Sequence, residues 1–173
     1  MKTTLLASVS MDGLIADASG IPSFPETAWP DWCARANAAG DEGGVIAGRA
    51  SVEQIVEFGM ADALTLPHKV VLSSRDEAVA DWKPASSPTA ALTALASAGV
   101  SEAIIGGGRA VYHAFIAAGL IDEVVLDLQP VLFGAGVPLF GEALDLTALE
   151  LLETISISGD ARRMRYRVLR TAE

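Results

Sequence analysis

The sequence has a single cysteine, Cys33, among its 173 residues. One cysteine excludes an intramolecular disulfide and a cysteine-built metal site, and it is typical of a reducing compartment, so we expect a cytoplasmic protein. The two histidines, His68 and His113, lack the spacing of metal ligands, so we expect no metal centre. The chain also lacks the Gly-x-Ser-x-Gly turn of α/β-hydrolases and the Gly-Lys-Ser/Thr loop of P-loop nucleotidases, which argues against both classes.

Basic residues are scarce along most of the chain. Twelve Lys and Arg stand against 22 Asp and Glu, and the formal net charge is −10. Five of the twelve basic residues lie within 162–170, so residues 1–161 carry 7 basic and 21 acidic side chains. This field repels nucleic acid and anionic lipid, so we expect neither as a partner. The longest apolar stretch, Ala103–Ile121, is interrupted by glycines, Arg109 and His113, and therefore predicts no membrane span.

Short apolar runs without alternation predict strands that are buried on both faces of a sheet. Four such runs are Thr4–Ser10, Gly44–Ala47, Lys69–Ser73 and Glu102–Ile105. The predicted helices between and after them are Pro30–Ala39, Ala50–Phe58, a helix capped by Ser87 and Pro88 that ends at Gly99, and Arg109–Ala118. Three later strands follow without helices between them: Asp122–Leu132, Glu150–Ser158 and Arg163–Leu169. We therefore predict one α/β domain over residues 1–173, with a mixed, mostly parallel central sheet, helices on both faces and antiparallel C-terminal strands.

Two other segments have a distinctive composition. Ser19–Pro30 contains three prolines together with Phe24 and Trp29, which predicts a long functional or packing loop within the domain. In the last predicted strand, Arg163, Arg165 and Arg167 alternate with apolar residues, so we expect these arginines to form a solvated face.

Three of the predicted strands end in groups that are suited to binding phosphate. These groups are Gly48, Arg49 and Ala50; Ser73, Ser74 and Arg75; and Gly106, Gly107, Gly108, Arg109 and Ala110. Glycines let the backbone approach an anion, the amides at a helix start stabilise it, and arginine binds phosphate through two donors. In an open α/β sheet, ligands bind outside the carboxyl ends of the strands. Three such ends in one small domain indicate a dinucleotide, although Val111 stands where the Rossmann fingerprint has its third glycine.

Several motifs resemble those of a known reductase family. Residues 104–112 resemble the Gly-Gly turn of the dihydrofolate reductase fold, and residues 47–53 and 71–75 resemble its two other cofactor motifs. The opening Ser8-Val9-Ser10-Met11-Asp12-Gly13-Leu14-Ile15-Ala16 and residues 118–123 and 129–140 are similar to the reductase domain of riboflavin biosynthesis. By these motifs, nearly the whole chain resembles a stand-alone riboflavin-biosynthesis-type reductase C-terminal domain, within the dihydrofolate reductase-like superfamily.

The resemblance implies NADPH as cofactor and hydride donor. It implies that the pyrophosphate is held by Gly106, Gly107, Gly108, Arg109 and Ala110, with Gly48, Arg49 and Ala50. Ser73, Ser74 and Arg75 would contact the adenosine end, where Arg49 and Arg75 could select the 2′-phosphate. Ser8, Ile15 and Ala16 would line the nicotinamide pocket.

The implied substrate is a small pterin- or pyrimidine-like heterocycle with a C=N or C=O that accepts the hydride, as in a 5-amino-6-(5-phosphoribosylamino)uracil reductase. Reduction also needs a proton, and a carboxylic acid in an apolar pocket can supply it because burial raises its pKa. Asp31 is the catalytic candidate, since it opens the helix after the long loop and dihydrofolate reductases carry their substrate-binding acid on the corresponding helix. Phe24, Trp29, Asp31 and Trp32 are the predicted substrate contacts, and Asp12 is expected to be a turn residue.

The chain departs from the family on the substrate side. Riboflavin reductases usually carry Lys after the first Asp-Gly, where this chain has Leu14, and the loop Ala16–Pro30 contains no basic residue. A flat, weakly charged substrate therefore fits better than a phosphorylated pyrimidine. Dihydrofolate reductase activity, a flavin-dependent enzyme and a dimeric nucleotide-binding module without turnover remain alternatives. Because Gln129–Phe140 resembles a dimer-interface region of the family, we predict a homodimer.

Overall fold

A computed structural model describes residues 1–141 and 144–169 of the chain. The strands in these residues are β1 Lys2–Ser10, β2 Leu14–Asp17, β3 Gly43–Gly48, β4 His68–Leu72, β5 Lys83–Ala85, β6 Glu102–Ile105, β7 Glu123–Gln129, β8 Gly136–Pro138, β9 Ala148–Ser156 and β10 Arg162–Leu169. The α-helices are α1 Ala28–Asn37, α2 Arg49–Glu57, α3 Pro88–Ser97 and α4 Arg109–Ala117. Short 3₁₀ turns lie at Gly40–Glu42 and Ala61–Ala63.

The central sheet of the described residues has eight strands in the order β5-β4-β3-β6-β1-β7-β10-β9. The strands from β5 to β7 are parallel, whereas β10 pairs antiparallel with β7 and with β9. Most of the parallel strands are linked through helices, β4 and β5 are linked by the loop 73–82, and the antiparallel pair β9–β10 is linked by a short turn. The predicted mixed α/β sheet with antiparallel C-terminal strands is confirmed.

Two apolar layers cover the two faces of this sheet. Leu5 of β1 packs in the layer that includes Leu95 of α3 and Phe115 of α4, while the next residue, Leu6, packs in the layer that includes Trp32 of α1 and Val52 of α2. Successive side chains of a strand point to opposite faces, so each central strand contributes to both layers. The predicted helices on both faces are confirmed.

Three short strands were not predicted. β5 includes Pro84 and lies at the edge of the sheet, where a residue without an N–H is tolerated. β2 and β8 form a separate two-stranded sheet whose register joins Leu14 to Pro138 and Asp17 to Gly136. Strands of three or four residues leave almost no periodic signal, and this pair is made between segments more than a hundred residues apart.

The prediction of a solvated arginine face is wrong for Arg163. Its guanidinium makes two hydrogen bonds of 2.6 Å to the carboxylate of Asp127, which is fully buried, and a third of 2.9 Å to the carbonyl of Asp31. Arg163 lies directly opposite Asp127 in the β10–β7 register, and this pairing draws it inward. Further along the same face, Arg167 is exposed and pairs with Glu150.

The site is positioned by the separation of β1 from β6. Their pairing ends at Leu5 and Ile105, whereas β1 continues beside β7 as far as Ser10 and Gln129. Just beyond the split, the carbonyl of Leu6 accepts hydrogen bonds from Trp32 Nε1 at 3.1 Å and from the hydroxyl of Tyr112 at 2.9 Å. A parted pair of parallel strands leaves a crevice at their carboxyl ends, where ligands of open α/β sheets bind.

Candidate functional site

Two adjoining cavities lie at the carboxyl ends of the parallel strands. The first, here the polar cavity, has a volume of about 500 Å³ and is lined by the residues after β3 and β4 and by the start of α4. The second, here the aromatic cavity, has a volume of about 610 Å³ and is lined by the loop before α1, one face of α2 and the turn before α4. Ala50, Ser51, Gly108, Arg109 and Val137 line both, so one extended ligand can reach from the first cavity into the second.

The predicted cofactor residues divide between these cavities. The polar cavity is lined by Gly48, Arg49, Ala50, Ser73, Ser74, Gly108, Arg109 and Ala110. The aromatic cavity is lined by Ser8, Ile15, Ala16, Gly106 and Gly107, together with shared members of the first set. Arg75 is exposed and is not among the described lining residues, although its backbone N–H donates to the Ser73 hydroxyl at 3.0 Å.

The glycine turn between β6 and α4 is packed too tightly for larger residues. Gly107 has φ +115°, and an added Cβ would lie 3.0 Å from the Tyr112 hydroxyl. The N–H of Gly48 donates to the carbonyl of Gly107 at 2.6 Å, which fastens the β3–α2 turn to the β6–α4 turn. The first N–H groups of α2 and α4 have no acceptor within their own helices, so these two fastened turns bring unsatisfied donors to the cavity wall.

Arg49 connects two of the predicted phosphate-binding segments. Its Nε donates to the hydroxyl of Ser73 at 3.0 Å, and its Nη2 donates to the carbonyl of Glu77. Its Nη1 lies 3.5 Å from the carboxylate of Glu53. Because these bonds hold a side chain that is only 15% exposed, the guanidinium is fixed in the wall of the polar cavity before any ligand enters.

The aromatic cavity has a flat wall made of two indoles. The rings of Trp29 and Trp32 stack at a centroid distance of 5.2 Å and an interplanar angle of 7°. Trp29 Nε1 donates to the carbonyl of Met60 at 3.2 Å, and Trp32 packs so closely on Gly106 that a Cβ there would lie 3.0 Å from its ring. Full burial raises the pKa of the Tyr112 phenol far above its ordinary value, so this hydroxyl stays protonated as a donor to the backbone.

Asp31 is separated from the predicted substrate contacts. Phe24, Trp29 and Trp32 line the aromatic cavity, but Asp31 does not. Its carboxylate accepts hydrogen bonds from the hydroxyl and N–H of Ser158, at 2.7 and 3.2 Å. Residues three apart share a helix face, which groups Trp29 with Trp32 and turns Asp31 away from them.

Several residues of the aromatic cavity were not predicted from the sequence. Glu26 lines it from the long loop, and Ser51, Gln54, Ile55 and Phe58 line it from α2 and its C-cap. Gln54, Ile55 and Phe58 follow Ser51 by three, four and seven residues, which is the spacing of one helix face. That face mixes polar and apolar residues, so its hydrophobic periodicity is weak. Tertiary packing determines that it faces the cavity.

The β2–β8 sheet contributes Ile15, Ala16 and Val137 to the cavity walls and is held by Asp12. Its carboxylate accepts hydrogen bonds from the Ser10 hydroxyl at 2.6 Å and from the N–H groups of Gly134 and Phe133 at 2.7 and 3.2 Å. These hydrogen bonds hold the pKa of Asp12 below its ordinary value, and the bond from Ser10 has the largest effect. Asp12 therefore does more than form a turn, because it fastens the segment before β8, and with it Val137, to the end of β1.

Metal-binding clusters and membrane-spanning helices are both absent from the described ranges, 1–141 and 144–169. These ranges contain no group of three or more His, Cys, Asp or Glu side chains arranged to hold a metal ion. None of their helices combines the length and the apolar character needed to cross a bilayer.

Comparison with known proteins relates this chain to one family. A family model of the RibD C-terminal domain matches residues 2–161. No curated protein matches the chain.

Several solved structures share the fold. A protein from Shewanella sp. PV-4 that is named for riboflavin biosynthesis is 23% identical with a TM-score of 0.75, over 98% of this chain and 100% of that one. A pyrimidine reductase-like protein from Corynebacterium diphtheriae is 17% identical with a TM-score of 0.67, over 98% and 92%. A deaminase/5-amino-6-(5-phosphoribosylamino)uracil reductase from Thermotoga maritima is 14% identical with a TM-score of 0.72, over 97% of this chain. This chain covers 56% of that longer protein.

Proposed function

The chain belongs to the RibD C-terminal domain family, and on that premise we propose that it is an NADPH-dependent reductase of a small heterocycle. The observation that carries the proposal is the pair of adjoining cavities. One is walled by glycines, hydroxyls and arginines, the other by indole and phenyl rings, and they share Arg109 and Gly108. A dinucleotide that ends in a flat ring needs polar donors around its phosphates and, next to them, an aromatic wall for the ring.

The residues of the polar cavity fit the phosphates of NADPH. We assign the pyrophosphate to the backbone of 106–110 and to the β3–α2 turn at 48–50, where glycines bring donors close to an anion. Gly48 and Gly108 keep this cradle open, because an added Cβ would meet Val111 at 3.0 Å and Ser51 at 3.2 Å. Ser73 and Ser74 are assigned to the adenosine end.

We assign selection of the 2′-phosphate to Arg49 and Arg75. Arg49 is already held in the wall by Ser73, and Arg75 is exposed at the rim of the same loop. An arginine that is fixed before binding loses little side-chain entropy when it meets phosphate. The nicotinamide is assigned to Ser8, Ile15 and Ala16, which line the aromatic cavity beside the glycine turn.

The reaction proposed for the shared crevice is a hydride transfer. When bound, NADPH supplies a hydride to the electrophilic carbon of a C=N or C=O bond and leaves as NADP⁺, while the adjacent nitrogen or oxygen takes a proton from water. The protein stacks the substrate against the Trp29–Trp32 wall, covers it with the β2–β8 sheet and so fixes the distance between the reacting rings. Asp31 has no part in this proposal, because Ser158 holds its carboxylate outside the described lining of the cavity.

Calorimetric titration with NADPH tests the proposed function. We expect one nucleotide per chain, weaker binding of NADH, and a loss of roughly 10- to 100-fold in NADPH affinity for Arg49→Ala, since hydrogen bonds to charged groups contribute about 1.5–3 kcal/mol. Arg167→Ala is the matched control, because it removes the same charge from an exposed pair on β10. Equal losses in the two variants, or no binding of either nucleotide, would contradict the assignment.

We also propose that the chain forms a homodimer, and we assign the contact to β9 and its neighbour β10 instead of the predicted region 129–140. β9 is the edge strand of the described sheet, and Leu149 and Leu151 on it are 43% and 54% exposed. These leucines stand opposite Val168 and Tyr166 of β10, so they form part of one apolar surface. By light scattering we expect twice the chain mass for the wild type and the single chain mass for Leu151→Glu. A monomeric wild type would reject the proposed dimer.

A further inference from the structure

Building on the reductase function proposed above, we propose that the substrate is a flat heterocycle without a phosphate group, and that Glu26 selects it by accepting hydrogen bonds from an amino group or a ring N–H. The observation is the charge of the aromatic cavity. Among its described lining residues the charged side chains are Glu26 and Arg109. The family relative that acts on a phosphoribosyl compound therefore differs from this chain in the substrate it accepts.

Arg109 belongs to the cofactor half of the crevice. It is the first residue of α4 and lines the polar cavity as well. Its side chain packs along Gly141, where an added Cβ would lie 2.7 Å from Nε. In the proposed arrangement its charge is opposite the cofactor pyrophosphate. Among the described lining residues, the substrate half is then left with the carboxylate of Glu26 as its charged group.

A phosphate in the aromatic cavity would face unfavourable electrostatics. It would lie near the carboxylate of Glu26, inside a chain of net charge −10, and the described lining offers it no cation besides Arg109. An anion that is removed from water without a partner is strongly disfavoured. The same surroundings stabilise a neutral or protonated ring, because its N–H groups find acceptors.

The walls of the aromatic cavity match a planar ring in shape. Trp29 and Trp32 stack nearly parallel, and a heterocycle can extend such a stack at a centroid distance of about 4.5–7 Å. Phe58, which is 51% exposed, and Met60 line the same cavity. A flat ligand would cover this exposed apolar surface.

The polar groups beside these walls are suited to accept hydrogen bonds. Glu26 lies two residues before the start of α1, in the wall of the cavity, and an ionised carboxylate can only accept. Gln54 lines the same cavity, and its Nε2 donates to the carbonyl of Gly20 at 3.3 Å. The amide oxygen of Gln54 is then a second acceptor. Two acceptors favour an amino-substituted ring over an oxo-substituted one.

Two pairs of probes test this inference on the protein saturated with NADP⁺, by calorimetry. Neopterin and neopterin monophosphate differ only in the phosphate, and we expect neopterin to bind at least tenfold more tightly. Pterin and lumazine differ in one amino or oxo group, and we expect pterin to bind several-fold more tightly. Glu26→Gln should abolish the preference for pterin and narrow the difference in affinity between neopterin and neopterin monophosphate. The control is Glu57→Gln, which should change neither, because Glu57 is exposed and lies outside the described lining of the cavity.

A gain-of-function variant gives a second, independent readout. Gln54→Arg places a cation in the wall and removes one acceptor, so it should raise the affinity for neopterin monophosphate at least tenfold and weaken that for neopterin, while Gln54→Met should raise neither. Tighter binding of the phosphate by the wild type, or no binding of any of these probes to the NADP⁺-loaded protein, would overturn the inference. Failure of NADP⁺ and NADPH themselves to bind would instead overturn the proposed function.

Discussion

Replacing Arg163 by methionine should destabilise the protein far more than the same change at Arg167. Both arginines lie on one face of β10, and both pair with a carboxylate. The partner of Arg163 is the fully buried Asp127, with two hydrogen bonds of 2.6 Å. The partner of Arg167 is Glu150, and both of those side chains are about half exposed, at 57% and 49%.

The expected magnitudes follow from this difference in burial. Removing one partner of a buried pair leaves an uncompensated charge and costs about 3–5 kcal/mol, whereas an exposed pair contributes about 0.2–1 kcal/mol. Arg163 also donates to the carbonyl of Asp31, so its loss should loosen α1 and with it the Trp29–Trp32 wall. Methionine keeps most of the hydrocarbon volume, so the loss of packing is small in both variants.

The assay is urea unfolding at one fixed protein concentration, with the free energy of unfolding taken by linear extrapolation. Arg163→Met should lose about 3–5 kcal/mol and Arg167→Met less than about 1 kcal/mol. Adding Asp127→Asn to Arg163→Met should restore part of the loss, because it removes the unpaired charge. If the two single variants lie within about 1 kcal/mol of each other, the buried Asp127 carboxylate does not depend on Arg163 for its stability.

Three other perturbations have outcomes that the structure determines. Gly107→Ala should weaken NADPH binding in calorimetry and lower the free energy of unfolding by about 1–3 kcal/mol, more than Gly119→Ala, which also has positive φ but open space around its Cβ. Ser87→Ala removes the cap hydrogen bond to the Ala90 N–H and should cost about 1 kcal/mol in urea unfolding. For Glu102, burial raises the pKa, but hydrogen bonds from Arg35 and Thr4 outweigh it, so the folded pKa lies below the ordinary value. Its contribution to stability is therefore complete above the unfolded pKa of about 4.3 and is lost as pH falls through the lower folded value; unfolding curves across this acid range should be less pH-dependent in Glu102→Gln, and an unchanged slope would count against the pair.

Local signals were sufficient to predict most of the central sheet and the two glycine turns before α2 and α4. The parallel strands are apolar on both faces, and the turns at Gly48 and Gly106–Gly108 combine glycines with a helix start, so a few neighbouring residues carry the information. The cap at Ser87 is likewise a short-range feature, and the structure shows its hydrogen bond.

Contacts between distant segments explain what the sequence did not reveal. Asp31 is turned away from the cavity by Ser158, 127 residues further along the chain, and Arg163 is drawn inward because the β10–β7 register places it opposite Asp127. The β2–β8 sheet depends on a pairing of equally distant segments. Glu26 gave no signal of its own, since only the folded loop brings it into the wall of the aromatic cavity.

A crystal structure of the protein grown with NADPH would show whether the two adjoining cavities hold one nucleotide. We expect the pyrophosphate at the amides of 107–110, the 2′-phosphate beside Arg49, and the nicotinamide in the aromatic cavity beside Ser8 and Ala16. A nucleotide bound elsewhere on the chain, or a nicotinamide turned out of the aromatic cavity, would contradict this expectation.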